Sequence, residues 1–100
     1  MTVEKYIPNG RANAVSRTAL CMRTGRTDRE NRRGIKEARD RGIPIVASPD
    51  GGYYITDDPA EIKRLQNDYR HRAIQMLNTA RRLNKARRDD FKSEPEQEEP

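Results

Sequence analysis

One hundred residues make a single small domain, and with 32% of them apolar the core must be modest. The formal net charge of +5 hides an asymmetry: residues 91–100 hold four glutamates and one lysine, leaving 20 basic against 12 acidic residues in 1–90. That balance favours a polyanionic partner. One cysteine, Cys21, and one histidine, His71, exclude an internal disulfide and a structural zinc site. The chain opens without the apolar run of a signal peptide, and no stretch approaches the roughly 18 apolar residues of a membrane span. A cytoplasmic protein is expected.

Residues 1–12 offer one small apolar pair, Tyr6 and Ile7, before the turn signal Pro8-Asn9-Gly10, and predict a short arm or extended segment. From Asn13 the pattern changes. Ala14, Val15, Ala19, Leu20 and Met22 can face a core on a short helix capped by Ser16, and Gly25 stands where a C-terminal cap belongs. A capping box, Thr27-Asp28-Arg29-Glu30, opens a second helix over 28–41 that stops at Gly42. At 100° per residue Arg29, Arg32, Arg33 and Lys36 share one sector of it, while Asn31, Ile35 and Ala38 lie opposite. The inward face is thin: Asn31 stands where an aliphatic residue would suit, and Gly34 costs up to about 1 kcal/mol against alanine.

Ile43 to Ser48 and Tyr53 to Thr56 are β-rich runs separated by Pro49-Asp50-Gly51-Gly52, which predicts a hairpin with Ile45 and Ile55 turned inward. Asp58-Pro59-Ala60-Glu61 then restarts a helix, and no breaker follows until Pro95. Ile62, Leu65, Tyr69, Ala73, Met76, Ala80 and Leu83 recur in steps of three and four along it. A helix is expected over 59–90, and since thirty helical residues would span about 45 Å, at roughly 1.5 Å per residue, part of it must protrude or pair. Ile62, Leu65 and Tyr69 are expected to complete the core. Met76, Leu77, Ala80 and Leu83 lie beyond it and suit a dimer seam. Residues 91–100, rich in glutamate and proline, read as a disordered acidic tail.

The architecture expected is mainly α with a small β-hairpin: an arm at 1–12, a winged helix-turn-helix over 13–58, the long helix and the tail. A helix-turn-helix lays its second helix in the major groove, where arginine can bond a guanine edge in bidentate fashion and lysine can hold phosphate. Arg29, Arg32 and Arg33 are placed to approach bases or phosphates. Lys36 and Arg26 are placed to hold phosphates, Thr27 fixes the helix start, and Arg17 lies near the flanking backbone. The tip of the hairpin has no arginine or lysine and serves structure better than binding. No nucleophile-plus-base set, histidine pair or glycine-rich phosphate loop occurs, which argues against an enzyme or a bound cofactor.

Asn13-Ala14-Val15-Ser16, Gly25 to Arg32, Arg41-Gly42-Ile43-Pro44-Ile45 and Gly52-Tyr53-Tyr54-Ile55 together resemble the winged-helix proteins of phages and prophages. More loosely they are similar to the biotin-repressor-like helix-turn-helix group. The resemblance covers about residues 10–83 and implies a small regulator or replication accessory in a bacterial host cell, with the Arg29–Lys36 helix as its reader. Asn31 departs from the aliphatic residue usual in that group, Cys21 from the usual alanine, and the wing lacks basic residues. A second reading stays open, in which the same shape grips another protein, such as a host nucleic-acid enzyme.

Overall fold

Two local caps set the centre of the molecule. In the computed structural model, which describes the backbone of residues 2–93 and the side chains of residues 2–85, α1 runs Arg17–Thr24 and α2 runs Asp28–Asp40. Ser16 Oγ accepts the Ala19 N–H at 3.0 Å and opens α1. Gly25 closes it in the left-handed region, at φ 71°, where only glycine sits without cost. Thr27 Oγ1 then accepts the Glu30 N–H at 3.1 Å while Glu30 Oε1 accepts the Thr27 N–H at 3.0 Å, the reciprocal pair of a capping box. Arg41 caps the other end of α2, one residue earlier than the sequence implies.

The hairpin is shorter than its β-rich runs. β1 is Ile45–Ala47 and β2 is Tyr53–Ile55, antiparallel with Ile45 opposite Ile55 and Ala47 opposite Tyr53. The free edge of β2 is covered by the chain before α1. Val15 and Tyr53 exchange two backbone hydrogen bonds, at 2.9 and 2.8 Å, and Ile55 donates to Pro8 O and accepts from the Gly10 N–H. This makes β2 the middle of a rudimentary three-stranded arrangement and removes an edge that would otherwise be open to pairing. Gly52 permits it, because a Cβ there would stand 2.8 Å from the Val15 carbonyl oxygen.

Residues 1–12, expected as an arm, are part of the packed unit. Val3–Tyr6 forms one 3-10 helix and Arg11–Asn13 another, and Val3 and Ile7 join Val15, Leu20, Ile35, Ala38, Ile45 and Tyr53 in the core. Val3 lies in the first of these helices and Ile7 is the extended residue that ends it, and both are buried. Gly34 receives Val3: a Cβ on Gly34 would lie 3.1 Å from that of Val3. Ile45 is fully buried and Ile55 partly so, as the alternation implies. Met22 corrects the reading of α1. It is 80% exposed, because two residues of helix turn it about 200° from buried Leu20.

α3 spans Pro59–Ser93, so residues 91–93, expected in the tail, are helical. The remaining tail residues, 94–100, lie outside the described residues. Asp58 starts the helix, its Oδ1 accepting the Ala60 N–H at 2.9 Å. Ile62 and Leu65 are only half-buried and Tyr69 is 37% exposed, and none of the three belongs to the core cluster they were expected to complete. A polar anchor ties the start of α3 to β2 instead. Buried Tyr54 donates its hydroxyl to Glu61 Oε2 at 2.6 Å, and buried Thr56 donates to Glu61 Oε1. The chain divides into two compact units, one ending at Leu65 and the other beginning at Gln66. The architecture is thus mainly helical, with a small antiparallel hairpin and a long C-terminal helix.

Candidate nucleic-acid interface

The buried stripe of α2 dictates what its other side presents. Asn31, Ile35 and Ala38 are buried against the core, so Arg29, Arg32, Arg33 and Lys36 are turned outward, and all four are exposed. Asn31, only 2% exposed, makes structural bonds: Thr24 Oγ1 donates to its Oδ1 at 3.0 Å, and its Nδ2 points to Cys21 Sγ at 3.5 Å. Thr24 Oγ1 also accepts the Arg26 N–H at 3.1 Å. A small polar knot therefore fixes the angle between α1 and α2, and it explains an asparagine where an aliphatic residue suits the pattern.

The exposed cations differ in what holds them. Asp28 takes a two-pronged grip from Arg17, Nε to Oδ1 at 3.1 Å and Nη2 to Oδ2 at 2.6 Å, and a third contact from Arg32 Nε at 3.1 Å. The Arg17 hydrogen bonds hold the Asp28 carboxyl below its ordinary range and push the guanidinium of Arg17 up. Lys36 Nζ lies 3.1 Å from Asp40 Oδ2. Arg29, Arg33 and Arg26 form no ion pair among the described residues. Arg26 and Arg33 instead border a cleft of about 120 Å³ with Glu30, Glu37 and Val3. Thr27 is committed to its cap, since its hydroxyl also donates to Glu30 Oε1 at 3.2 Å.

The i to i+4 spacing of Asp28 and Arg32 carried a signal for their pairing, whereas Arg17 and Asp28 lie 11 residues apart and gave none. Two further ties were also invisible. Arg39 Nε donates to Ile45 O at 2.8 Å and joins α2 to β1. Arg41 grips Glu4 at 2.7 and 3.1 Å, joining the end of α2 to the N-terminal 3-10 helix. The hairpin tip exposes Pro49, Asp50 and Gly51.

On α3 the expected seam residues Met76, Leu77, Ala80 and Leu83 are all exposed, Leu83 at 66%. Ile74 joins them, and Arg72 stacks 4.6 Å from the Tyr69 ring centroid. Among the described residues no group of three or more histidine, cysteine, aspartate or glutamate side chains could hold a metal ion. No helix among them is long and apolar enough to cross a membrane. The chain matches no family model, no curated protein and no solved structure.

Proposed function

We propose that this protein is a non-enzymatic winged helix-turn-helix that binds double-stranded DNA with α2 in the major groove and pairs with a second copy through α3. The observation that carries the reading is the outward ridge of α2, where Arg29 and Arg33 stand exposed without an ion pair among the described residues on a helix whose angle to α1 is fixed by buried contacts. Arginine in that position can reach base edges, and the flanking Arg26 and Lys36 can take phosphates. The order of elements supports the same reading: two short 3-10 helices, a bridge at Val15, two helices joined by a glycine turn, then a hairpin. The reader is Arg29 and Arg33 first. Arg17 and Arg32 contribute once they leave Asp28.

The test is selection from a random duplex pool across a salt series, with Arg29→Ala/Arg33→Ala beside the wild type. Enrichment of one motif that the variant loses supports a sequence-specific reader, with affinity falling about 0.9 log units per log unit of salt for each phosphate neutralised. A flat salt response refutes it. The acidic, cation-free tip of the hairpin favours the second reading, a protein-binding module. In that case, with α3 as the binding surface, the double substitution leaves partner binding intact.

A further inference from the structure

Residues 66–85 of α3 carry five cations, Arg70, Arg72, Arg81, Arg82 and Lys85, against one carboxylate, Asp68. None of the five forms an ion pair among the described residues, in contrast to Arg17, Arg32 and Lys36. Arg70 Nη1 donates to Asn67 Oδ1 at 3.2 Å and Arg72 is engaged with Tyr69. At 100° per residue Arg70, Arg81, Arg82 and Lys85 fall within a sector of about 120°, and Tyr69, Ala73, Met76, Ala80 and Leu83 centre on the opposite side. The helix has a cationic back to its apolar seam.

We propose that this cationic face of α3 is a second nucleic-acid contact, which grips the phosphate backbone without reading bases. The proposal rests on the DNA-binding reading and assigns a share of its salt dependence to α3. From Arg70 to Lys85 the row extends about 22 Å at roughly 1.5 Å per residue, the length of six or seven phosphates along one strand at about 3.4 Å each. Asn67 and Asn78, in the same sector, supply amide donors of the kind that contact phosphate oxygens. A protein partner fits this face poorly. Interfaces between proteins are anchored by apolar or aromatic side chains, and here Ile74 is the sole large apolar residue in the sector, with Leu77 at its border and Tyr69, Met76 and Leu83 on the far side.

The test compares Arg81→Gln/Arg82→Gln/Lys85→Gln with Arg29→Gln/Arg33→Gln in the full chain, titrating duplexes of selected and scrambled sequence over a salt series. Glutamine keeps helix propensity close to that of arginine and lysine, and circular dichroism checks that helix content is retained. The triple variant is expected to lower the slope of log affinity against log salt by about 2.7, at about 0.9 per phosphate contact, and to weaken both duplexes alike. The double variant is expected to lower it by about 1.8 and to abolish the preference for the selected sequence. An unchanged slope in the triple variant overturns the α3 contact whatever the double variant does. If the wild type shows no sequence preference and the triple variant still loses slope, the α3 contact stands and the α2 reading falls. Salt-independent binding of the wild type to every duplex overturns both.

Discussion

Gly34→Ala places two opposed effects on one atom. Alanine is favoured over glycine inside a helix by about 0.8–1 kcal/mol, so on propensity alone α2 gains. The new Cβ, however, would lie 3.1 Å from Val3 Cβ and 3.3 Å from Val3 Cγ1, against an optimal carbon separation of about 3.5–4.0 Å. Val3 is buried, and its Cβ is fixed to the backbone, so no rotamer relieves the closer contact. The 3-10 helix must move instead, straining the Glu4–Arg41 pair at its side. Overpacking of this kind costs about 1–3 kcal/mol, which outweighs the propensity gain and leaves a net loss of about 1 kcal/mol. In a domain of this size that lowers Tm by about 4–8 °C. Chemical denaturation of Gly34→Ala, Val3→Ala and the double variant measures it. Val3→Ala removes two buried methyls at a cost of about 1.5 kcal/mol in the wild type, and less in the Gly34→Ala background, where it also relieves crowding. A Gly34→Ala protein stabilised by the full propensity term would show that Val3 does not seat on α2.

Asp28→Asn should release Arg17 and Arg32, so DNA affinity should rise and the salt slope steepen by up to about 1.8; weaker binding in filter or anisotropy titrations would show that the two arginines do not reach phosphate. The Glu61 carboxyl is held below its ordinary 4.5 by hydrogen bonds from Thr56 and Tyr54, and the Tyr54 hydroxyl is raised above 10.0 by its bond to Glu61 and by burial. The stabilisation from Glu61 is therefore present above pH 4.5 and lost as pH falls through the depressed folded value, while that from Tyr54 is present below pH 10.0 and lost as pH rises through the raised one. Denaturation midpoints against pH should show both limbs, and Glu61→Gln should make both shallower; identical limbs would remove the anchor. Leu83→Asp should convert a dimer to a monomer in sedimentation with helix content retained, and an unchanged mass would refute the seam.

The parts of this fold that were legible in the sequence are those made by short-range chemistry. Ser16, Thr27 with Glu30, Gly25 and Asp58 each act within four residues of themselves, so helix starts and stops fall within a few positions of where the caps put them. The cationic sector of α2 followed from periodicity alone, because Ile35 and Ala38 leave it only one way to turn. What escaped depends on distant partners. Val3 is a lone aliphatic residue in a polar stretch, and it joins the core by seating against Gly34, far from it in sequence. Tyr54 and Glu61 read as a strand residue and a first-turn glutamate, and their bond appears only when β2 and α3 are brought together. The same limit hid the charge pairing. Position on a helix face was readable, but whether Arg17 faced solvent or Asp28 was not.

That pairing changes what the net charge means for binding. Six cations were candidates for the DNA face, and three of them, Arg17, Arg32 and Lys36, are already opposite a carboxylate. Surface pairs of this kind are weak because water screens both partners, and Asp28 and Asp40 remain partly exposed. A phosphate brought alongside would compete for the same guanidinium groups with more charge and more acceptors. On the proposed reading Arg29 and Arg33 need no such exchange and lead within the α2 contact, and Arg17, Arg32 and Lys36 would follow as the duplex displaces the aspartates. A site built this way would discriminate against weak or distant polyanions, since much of its positive potential is cancelled until a backbone comes close enough to replace the internal partner. The cations proposed for the α3 face form no ion pair among the described residues, so that contact would need no such exchange.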